Sequence, residues 1–177
     1  MEKSKYSFIR AVCRIGLMAA AIECAKLVLA SLPNIEVVTL LIAVFSFVFG
    51  WEGVAATVIF VAIEPLIWGV GTWVISYFIY WPLVAVVFFL LGKISFKRPV
   101  VKVVLATASA LLLTLLFGAL TSLVDVGLFS GRFDNFFARF AVYYARGVVF
   151  YVLQLATNAV VFPILFHPMT TKLYKMK

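Results

Sequence analysis

The chain has few charged residues and few cysteines for its length. Of its 177 residues, 12% are charged and two are cysteine, whereas 66% are hydrophobic. A soluble domain has roughly 25% charged and about 45–50% apolar residues. A chain this short cannot bury so much apolar surface in its own core. The composition excludes a soluble enzyme, a disordered protein and a disulfide scaffold, and it indicates a protein whose solvent is lipid.

The sequence also lacks the patterns on which catalysis and cofactor binding commonly depend. Its cysteines, Cys13 and Cys24, would lie roughly 16 Å apart on one helix at about 1.5 Å per residue, too far for a disulfide. The sequence has no metal-ligand spacing, no Ser/His/Asp arrangement and no phosphate-binding glycine loop. We therefore expect no enzyme activity, no metal and no cofactor, and we expect ATP hydrolysis only in partner subunits.

Apolar residues are grouped into six stretches, and each predicts a membrane-spanning helix. The stretches cover about 10–32, 36–50, 53–70, 75–91, 100–124 and 137–166. The predicted fold class is therefore an all-α integral membrane protein with six transmembrane helices in a single domain over residues 1–177. The second and third stretches are separated only by Trp51 and Glu52, so they form either a tight hairpin or one irregular unit.

The basic residues predict the orientation of these helices. They form three groups: Lys3, Lys5, Arg10 and Arg14; Lys93, Lys97, Arg98 and Lys102; and Lys172, Lys175 and Lys177. Positive residues are retained on the cytoplasmic side of a membrane, and six spans put all three groups on one side. We therefore predict that both termini are cytoplasmic and that the first stretch is a retained span rather than a signal peptide. The net charge of +8 then gives no reason to expect nucleic acid as a partner.

Ionisable residues within a span are costly, and each is therefore a candidate functional residue. Glu23 and Lys26 are one helical turn apart and could form a structural pair, or Lys26 could extend to the membrane surface. Glu64 stands directly before Pro65, which opens the helix backbone locally. Trp68 lies one turn further on the same face. A carboxylate, an opened backbone and an indole together favour contact with a small molecule.

Polar and aromatic residues near the predicted outer side add further candidates. A polar stripe on the last stretch consists of Tyr143, Arg146, Gln154 and Asn158. Gln154 and Asn158 suit hydrogen bonds between helices as well as they suit binding, whereas the position of Tyr143 and Arg146 favours binding. Aromatic residues cluster around the loop between the third and fourth stretches, at Trp73, Tyr77, Tyr80 and Trp81. They indicate either an interfacial belt or a stacking wall for a planar ligand.

Three segments together resemble a known family, the substrate-binding S components of energy-coupling factor (ECF) transporters. Ala21-Ile-Glu-Cys-Ala25 resembles the Ala-x-x-x-Ala surface of their first helix. Residues 32–36, Leu-Pro-Asn-Ile-Glu, and the apolar residues 37–41 resemble their first outer loop and second helix. Residues 158–163 and the basic tail resemble their last helix.

The resemblance implies a pocket that opens to the outside of a prokaryotic plasma membrane and binds a vitamin or related micronutrient. It also implies three partners, a transmembrane coupling subunit and two ABC ATPases. Ala21 and Ala25 would then contact the coupling subunit, and the neighbouring small residues Gly16 and Ala20 would belong to the same interface. No motif in the sequence identifies which vitamin is bound.

Depth and polarity, rather than a family motif, select the candidate substrate-binding residues. They are Asn34, Glu36, Glu64, Trp68, Trp73, Tyr77, Tyr143 and Arg146. The intramembrane charges Glu64 and Arg146 also suggest an alternative function, a small oligomeric channel or an ion-coupled secondary transporter. A third hypothesis is a scaffold or assembly factor, in which these charges would be dispensable.

Overall fold

The computed structural model describes residues 2–32, 35–129 and 134–177, which form six α-helices and no strand. The helices are α1 (Glu2–Leu29), α2 (Val38–Phe49), α3 (Trp51–Trp68), α4 (Trp73–Gly92), α5 (Pro99–Val124) and α6 (Phe136–Met176). A π-helical segment, Asp125–Phe129, follows α5. The all-helical fold is confirmed, and the described helices share one hydrophobic core.

Four of the described helices, α3 to α6, are long and apolar enough to cross a membrane. The first helix, α1, has 28 residues but carries Arg14, Glu23 and Lys26 along its length. The second, α2, has 12 residues and measures roughly 18 Å at about 1.5 Å per residue. It is therefore shorter than the hydrocarbon core of a bilayer, about 30 Å. Length and composition thus support a multi-pass membrane protein, and the six-span topology stays a prediction.

Helix α2 lies at the centre of the bundle, where it packs against α1, α3, α4 and α6. Almost all of its side chains are buried, as expected for a helix that is apolar on every face. Gly50 follows α2 with a φ of +64°, a conformation that glycine adopts without steric cost. The chain then turns back at once into α3, and Gly53 packs so closely that an added Cβ would lie 2.5 Å from the backbone nitrogen of Ser46. Residues 50–53 therefore form a tight helical hairpin.

Contacts between distant residues bring the middle of α1 and the C-terminal end of α6 to the same end of the bundle. The Arg14 guanidinium donates two hydrogen bonds, of 2.8 and 2.7 Å, to the carboxylate of Glu52 at the start of α3. The Lys177 ammonium donates to the carbonyl oxygen of Val48 at 2.7 Å. We call this end of the bundle the basic end, and its residues include Arg14, Lys93, Lys102 and Lys177. The last turn of α1, residues 35–37 before α2 and the connection from α3 to α4 lie at the opposite end.

Helix α6 is longer than the sequence predicts. The last apolar stretch is expected to end at His167 and Pro168, yet the helix continues through both of its prolines to Met176. A proline inside a helix removes one backbone hydrogen bond and strains the preceding turn. Here buried packing offsets that cost, because Phe162, Phe166 and Thr170 are all enclosed by the core on either side of Pro168.

Candidate functional site

A buried ion pair joins α1 to α3. The Lys26 ammonium donates to Oε2 of Glu64, whose side chain has no exposed surface, whereas 22% of the Lys26 side chain is exposed. Charged groups are buried only when a partner compensates them. The sequence leaves the partner of Lys26 open, with Glu23 one turn away, and the structure places Glu64 against it instead.

The Lys26 ammonium is also surrounded by aromatic rings. Its Nζ lies 5.8 Å from the ring centre of Phe60, 5.6 Å from that of Trp68 and 5.2 Å from that of Tyr77. A cation within about 6 Å of an aromatic face is attracted by the negative charge of that face. We call these three rings the aromatic cage. They come from α3 and α4, so the cage forms only where these helices meet α1.

Glu23 occupies the same region without a hydrogen-bonding partner. Its residue surface is 8% exposed, and both of its carboxylate oxygens lack a hydrogen bond, as does Oε1 of Glu64. Glu23 is close enough to interact electrostatically with Glu64 and Lys26. A buried ionised oxygen is costly without a donor or a cation. The unpartnered oxygens of Glu23 and Glu64 therefore favour the binding of a proton or of another cation beside them.

A cavity of about 180 Å³ lies beside the ion pair, at the end opposite the basic end. Its lining comprises Lys26, Leu29, Ala30, Leu32, Ile35, Glu36, Tyr77 and Gln154. The polar members come from α1, the segment before α2, α4 and α6. Oε1 of Glu36 accepts hydrogen bonds from Thr39 Oγ1 at 3.2 Å and from Gln154 Nε2 at 3.5 Å. The cavity therefore presents an ammonium, a carboxylate and an amide against an apolar wall.

Glu36 lies in the segment that precedes α2, outside the helices. Burial raises the pKa of Glu36 to about 7, while the Thr39 hydroxyl and the Lys26 charge act in the opposite direction. The Glu36 carboxyl group consequently changes its charge near neutral pH. Among the groups that line the cavity, it is the carboxyl that a ligand would meet first, because Glu64 is fully enclosed.

Aromatic residues extend from the cavity into the core along α4. The ring of Tyr77 lies 4.9 Å from that of Trp73 and 5.8 Å from that of Trp81. The Tyr80 ring lies 4.7 Å from that of Phe117 of α5, at an interplanar angle of 48°. Tyr80 and Trp81 are each 3% exposed, so they belong to the core rather than to an interfacial belt. Trp73 and Tyr77 are half-buried and form the part of this row nearest the cavity.

The two amides of α6 have different surroundings. Asn158 Nδ2 donates to Thr114 Oγ1 of α5 at 3.0 Å, a hydrogen bond between helices, which is one of the two roles predicted for this residue. Gln154, one turn earlier, reaches the cavity and contacts Glu36. Of the polar stripe of α6, Asn158 therefore packs against α5, whereas Gln154 lines the cavity.

The structure brings together five of the predicted binding residues: Glu36, Glu64, Trp68, Trp73 and Tyr77. Tyr143 and Arg146 lie on an exposed part of α6, where the Arg146 guanidinium is 5.7 Å from the Tyr143 ring centre. Neither residue lines the described cavity. Asn34 is outside the described residues.

Two residues of the site, Lys26 and Gln154, were not among the predicted binding residues. Lys26 was visible in the sequence as a charge within a span but was interpreted as structural. Gln154 was visible as part of the polar stripe. Both residues belong to the site because of how α1 and α6 pack against the other helices, and local sequence patterns contain no information about that packing.

The small residues of α1 form an uncovered surface. Gly16, Ala20 and Ala21 are exposed and Ala25 is half-buried. An added Cβ at Gly16 would meet no atom within 4 Å. Small residues allow another helix to approach closely in lipid, and Gly16, Ala20 and Ala21 expose such a surface.

No protein-family model matches the chain, and neither a curated protein nor a solved structure matches it significantly. Its function must therefore be inferred from its own residues. The site combines fixed charges, an amide and aromatic faces around a small cavity, an arrangement suited to holding a polar ligand.

Proposed function

We propose that this chain is the S component of an ECF-type ABC transporter, which binds a vitamin or related micronutrient outside the cell and delivers it inside. The observation that carries this proposal is the cavity beside Lys26 and Glu64, at one end of an apolar helix bundle. Binding sites for small molecules place a few polar groups in a mostly apolar pocket. The volume of about 180 Å³ is below the usual range of about 300–1,000 Å³, so lining side chains move apart when a larger ligand enters.

The proposed orientation puts the basic end in the cytoplasm of a prokaryote and the cavity outside its plasma membrane. Support comes from Arg14, Lys93, Lys102 and Lys177, which belong to the same end of the bundle. Basic residues are retained on the cytoplasmic side during insertion. A pocket at the opposite end is then accessible to nutrients in the external medium.

The proposed partners are a transmembrane coupling subunit and two ABC ATPases. The exposed small residues of α1, Gly16, Ala20 and Ala21, offer a surface on which a helix of the coupling subunit can pack closely. The chain itself has no phosphate-binding glycine loop, so the proposal assigns ATP hydrolysis to the partners.

Two measurements test this function. The purified chain, screened by thermal shift against water-soluble vitamins, is expected to bind one of them, because a ligand of the folded state raises the melting temperature. Co-expression with an ECF module of the same organism is expected to give a stable complex that takes up this vitamin only with ATP. Accumulation of a solute by vesicles that contain the chain alone would refute the proposal.

A second function, an ion-coupled secondary transporter or small oligomeric channel, is favoured by one feature. Glu23 and Glu64 are carboxylates buried within apolar helices, and such residues commonly belong to proton or ion pathways. This function predicts flux into liposomes that is driven by a proton or ion gradient without ATP. Replacing Glu64 by Gln would then abolish the coupling to the gradient.

A further inference from the structure

The cluster around the cavity contains more carboxylates than cations. Glu23 interacts electrostatically with Glu64 and Lys26, and Glu36 interacts with the same two residues. Within the described part of this cluster, one ammonium thus serves three carboxylates. The pair of Lys26 and Glu64 compensates itself, so Glu23 and Glu36 are two further carboxyl groups without a cation of their own in this cluster.

The hydrogen bonds of the cluster show the same deficit of positive charge. Of the two Glu64 oxygens, Oε2 is occupied by Lys26 and Oε1 has no partner. Both oxygens of the buried Glu23 also lack a partner. Glu36 accepts two hydrogen bonds from neutral groups, the longer of which measures 3.5 Å. None of these contacts gives Glu23 or Glu36 a positively charged partner.

The aromatic cage shows how this region accommodates a cation. The Lys26 ammonium lies 5.2–5.8 Å from three ring centres, within the distance at which cations are attracted to aromatic faces. Tyr77 belongs both to the cage and to the lining of the cavity. The Trp73 ring lies 4.9 Å from the Tyr77 ring, which extends the aromatic surface beside the cavity. A positively charged ligand in the cavity would thus meet a carboxylate and a ring, as Lys26 does, beside the Lys26 ammonium, whose charge Glu64 compensates.

From these contacts we propose that the ligand is a small organic cation, with its charged nitrogen placed between the Glu36 carboxylate and the ring of Tyr77. This inference rests on the proposed function and names the substrate class of the same site. The ligand supplies the positive charge that the cluster lacks. Lys26 is a positioning residue, because it holds Glu64 and orders the aromatic cage. The neutral amide of Gln154 contributes a hydrogen bond on the side of α6.

The first test compares compounds that share a ring and differ in charge. Benzylamine, benzyl alcohol and benzoate are titrated against the chain in lipid nanodiscs at pH 8, together with thiamine, riboflavin and biotin as a cationic, a neutral and an anionic vitamin. The cation of each series is expected to bind at least about ten-fold more tightly than the other two, since charge-assisted contacts are the stronger ones.

The outcomes of this comparison separate the inference from the function on which it rests. Preferential binding of biotin, benzoate or a neutral compound overturns the cation assignment and leaves the transporter proposal intact. A chain that binds none of the six compounds but assembles with an ECF module also overturns the cation assignment alone. A chain that neither binds nor assembles overturns both.

Substitutions then test the role of individual charges. Glu36→Gln is expected to weaken cation binding at least about ten-fold, because it removes the accessible carboxylate. The double variant Lys26→Met/Glu64→Gln removes the ion pair and its contact with the Tyr77 ring without changing the net charge, and it should weaken cation binding by less than Glu36→Gln does. The matched control is Glu52→Gln, which removes a carboxylate at the basic end and should leave binding unchanged.

An anionic ligand held by Lys26 would reverse this pattern. The double variant would then lose binding, whereas Glu36→Gln would bind as tightly as the wild type or more tightly. Either result overturns the inference. Should the double variant fail to fold, the comparison of Glu36→Gln with Glu52→Gln decides the question, because Glu36 lies outside the helices and its replacement keeps the side-chain shape.

Discussion

The ion pair between Lys26 and Glu64 predicts how much stability the protein loses when the ammonium is removed. Lys26→Met removes the ammonium but retains an unbranched side chain of similar length that still packs beside the aromatic cage. Glu64 then remains enclosed, with no exposed surface and without the donor that occupies its Oε2. The substitution therefore tests the cost of a buried carboxylate that has lost its partner.

The expected loss of stability follows from the burial of Glu64. Breaking a buried ion pair by removing one partner costs about 3–5 kcal/mol. For a chain of this length such a loss corresponds to a lowering of the melting temperature by roughly 6–20 °C. The double variant Lys26→Met/Glu64→Gln removes both charges and should recover most of the loss, since removing a whole buried pair is often close to neutral.

The assay is thermal unfolding of wild type, both single variants and the double variant in the same detergent. The coupling energy of the double-mutant cycle isolates the interaction between the two side chains from their individual effects. We expect Lys26→Met to be the least stable of the four proteins. If Lys26→Met unfolded at the same temperature as the double variant, Glu64 would not depend on Lys26, and the interpretation of the site as a compensated ion pair would be wrong.

Two further predictions concern the α2–α3 hairpin and the cavity. Gly53→Ala puts a Cβ 2.5 Å from the backbone nitrogen of Ser46, and overpacking of this kind should cost about 1–3 kcal/mol. The control is Gly16→Ala, where the Cβ meets nothing within 4 Å; it should unfold at or slightly above the wild-type temperature, because alanine favours a helix more than glycine does. Burial raises the pKa of Glu36 to about 7 from its ordinary value of 4.5. The fold therefore favours the protonated form, which stabilises the protein below about pH 4.5 and ceases to do so as the pH rises through about 7. Melting temperatures measured from pH 4.5 to pH 8 should accordingly fall more steeply for wild type than for Glu36→Gln, and parallel profiles would contradict the assignment.

The helical elements of this chain were largely predictable because they depend on local composition. The third, fourth and fifth stretches, predicted over about 53–70, 75–91 and 100–124, agree within a few residues with α3, α4 and α5. Proline and glycine mark where such stretches begin and end. These signals need no knowledge of the neighbouring helices.

The same signals were insufficient where packing overrides local preference. Pro168 is expected to end the last helix, but α6 continues to Met176 because Phe166 and Thr170 are buried beside it. Likewise, the second stretch is predicted over 36–50, whereas α2 begins at Val38 and has 12 residues at the centre of the bundle; its span of the membrane stays a prediction. The apolar side chains of α2 face other helices. Hydropathy does not show whether an apolar side chain is surrounded by protein or by lipid.

The site was predictable to the extent that its residues are unusual in apolar helices. Glu64 and Trp68 were identified because a carboxylate in a span is costly and an indole shares its face. Arg146 satisfied the same criterion but lies on an exposed part of α6 beside Tyr143. Residue type alone therefore selected candidates without deciding which of them share a cavity.

The sequence by itself determined that this protein belongs in lipid, that it is helical and which ionisable groups its helices contain, because these properties follow from composition and from the spacing of residues along one helix. Only the tertiary structure decided that Lys26 pairs with Glu64, 38 residues away, rather than with Glu23 on its own helix. The crossing of α1 and α3 fixes that choice, and the position of α4 adds the ring of Tyr77. Contacts between helices depend on how side chains interdigitate over the whole bundle, and no single stretch of sequence contains that information.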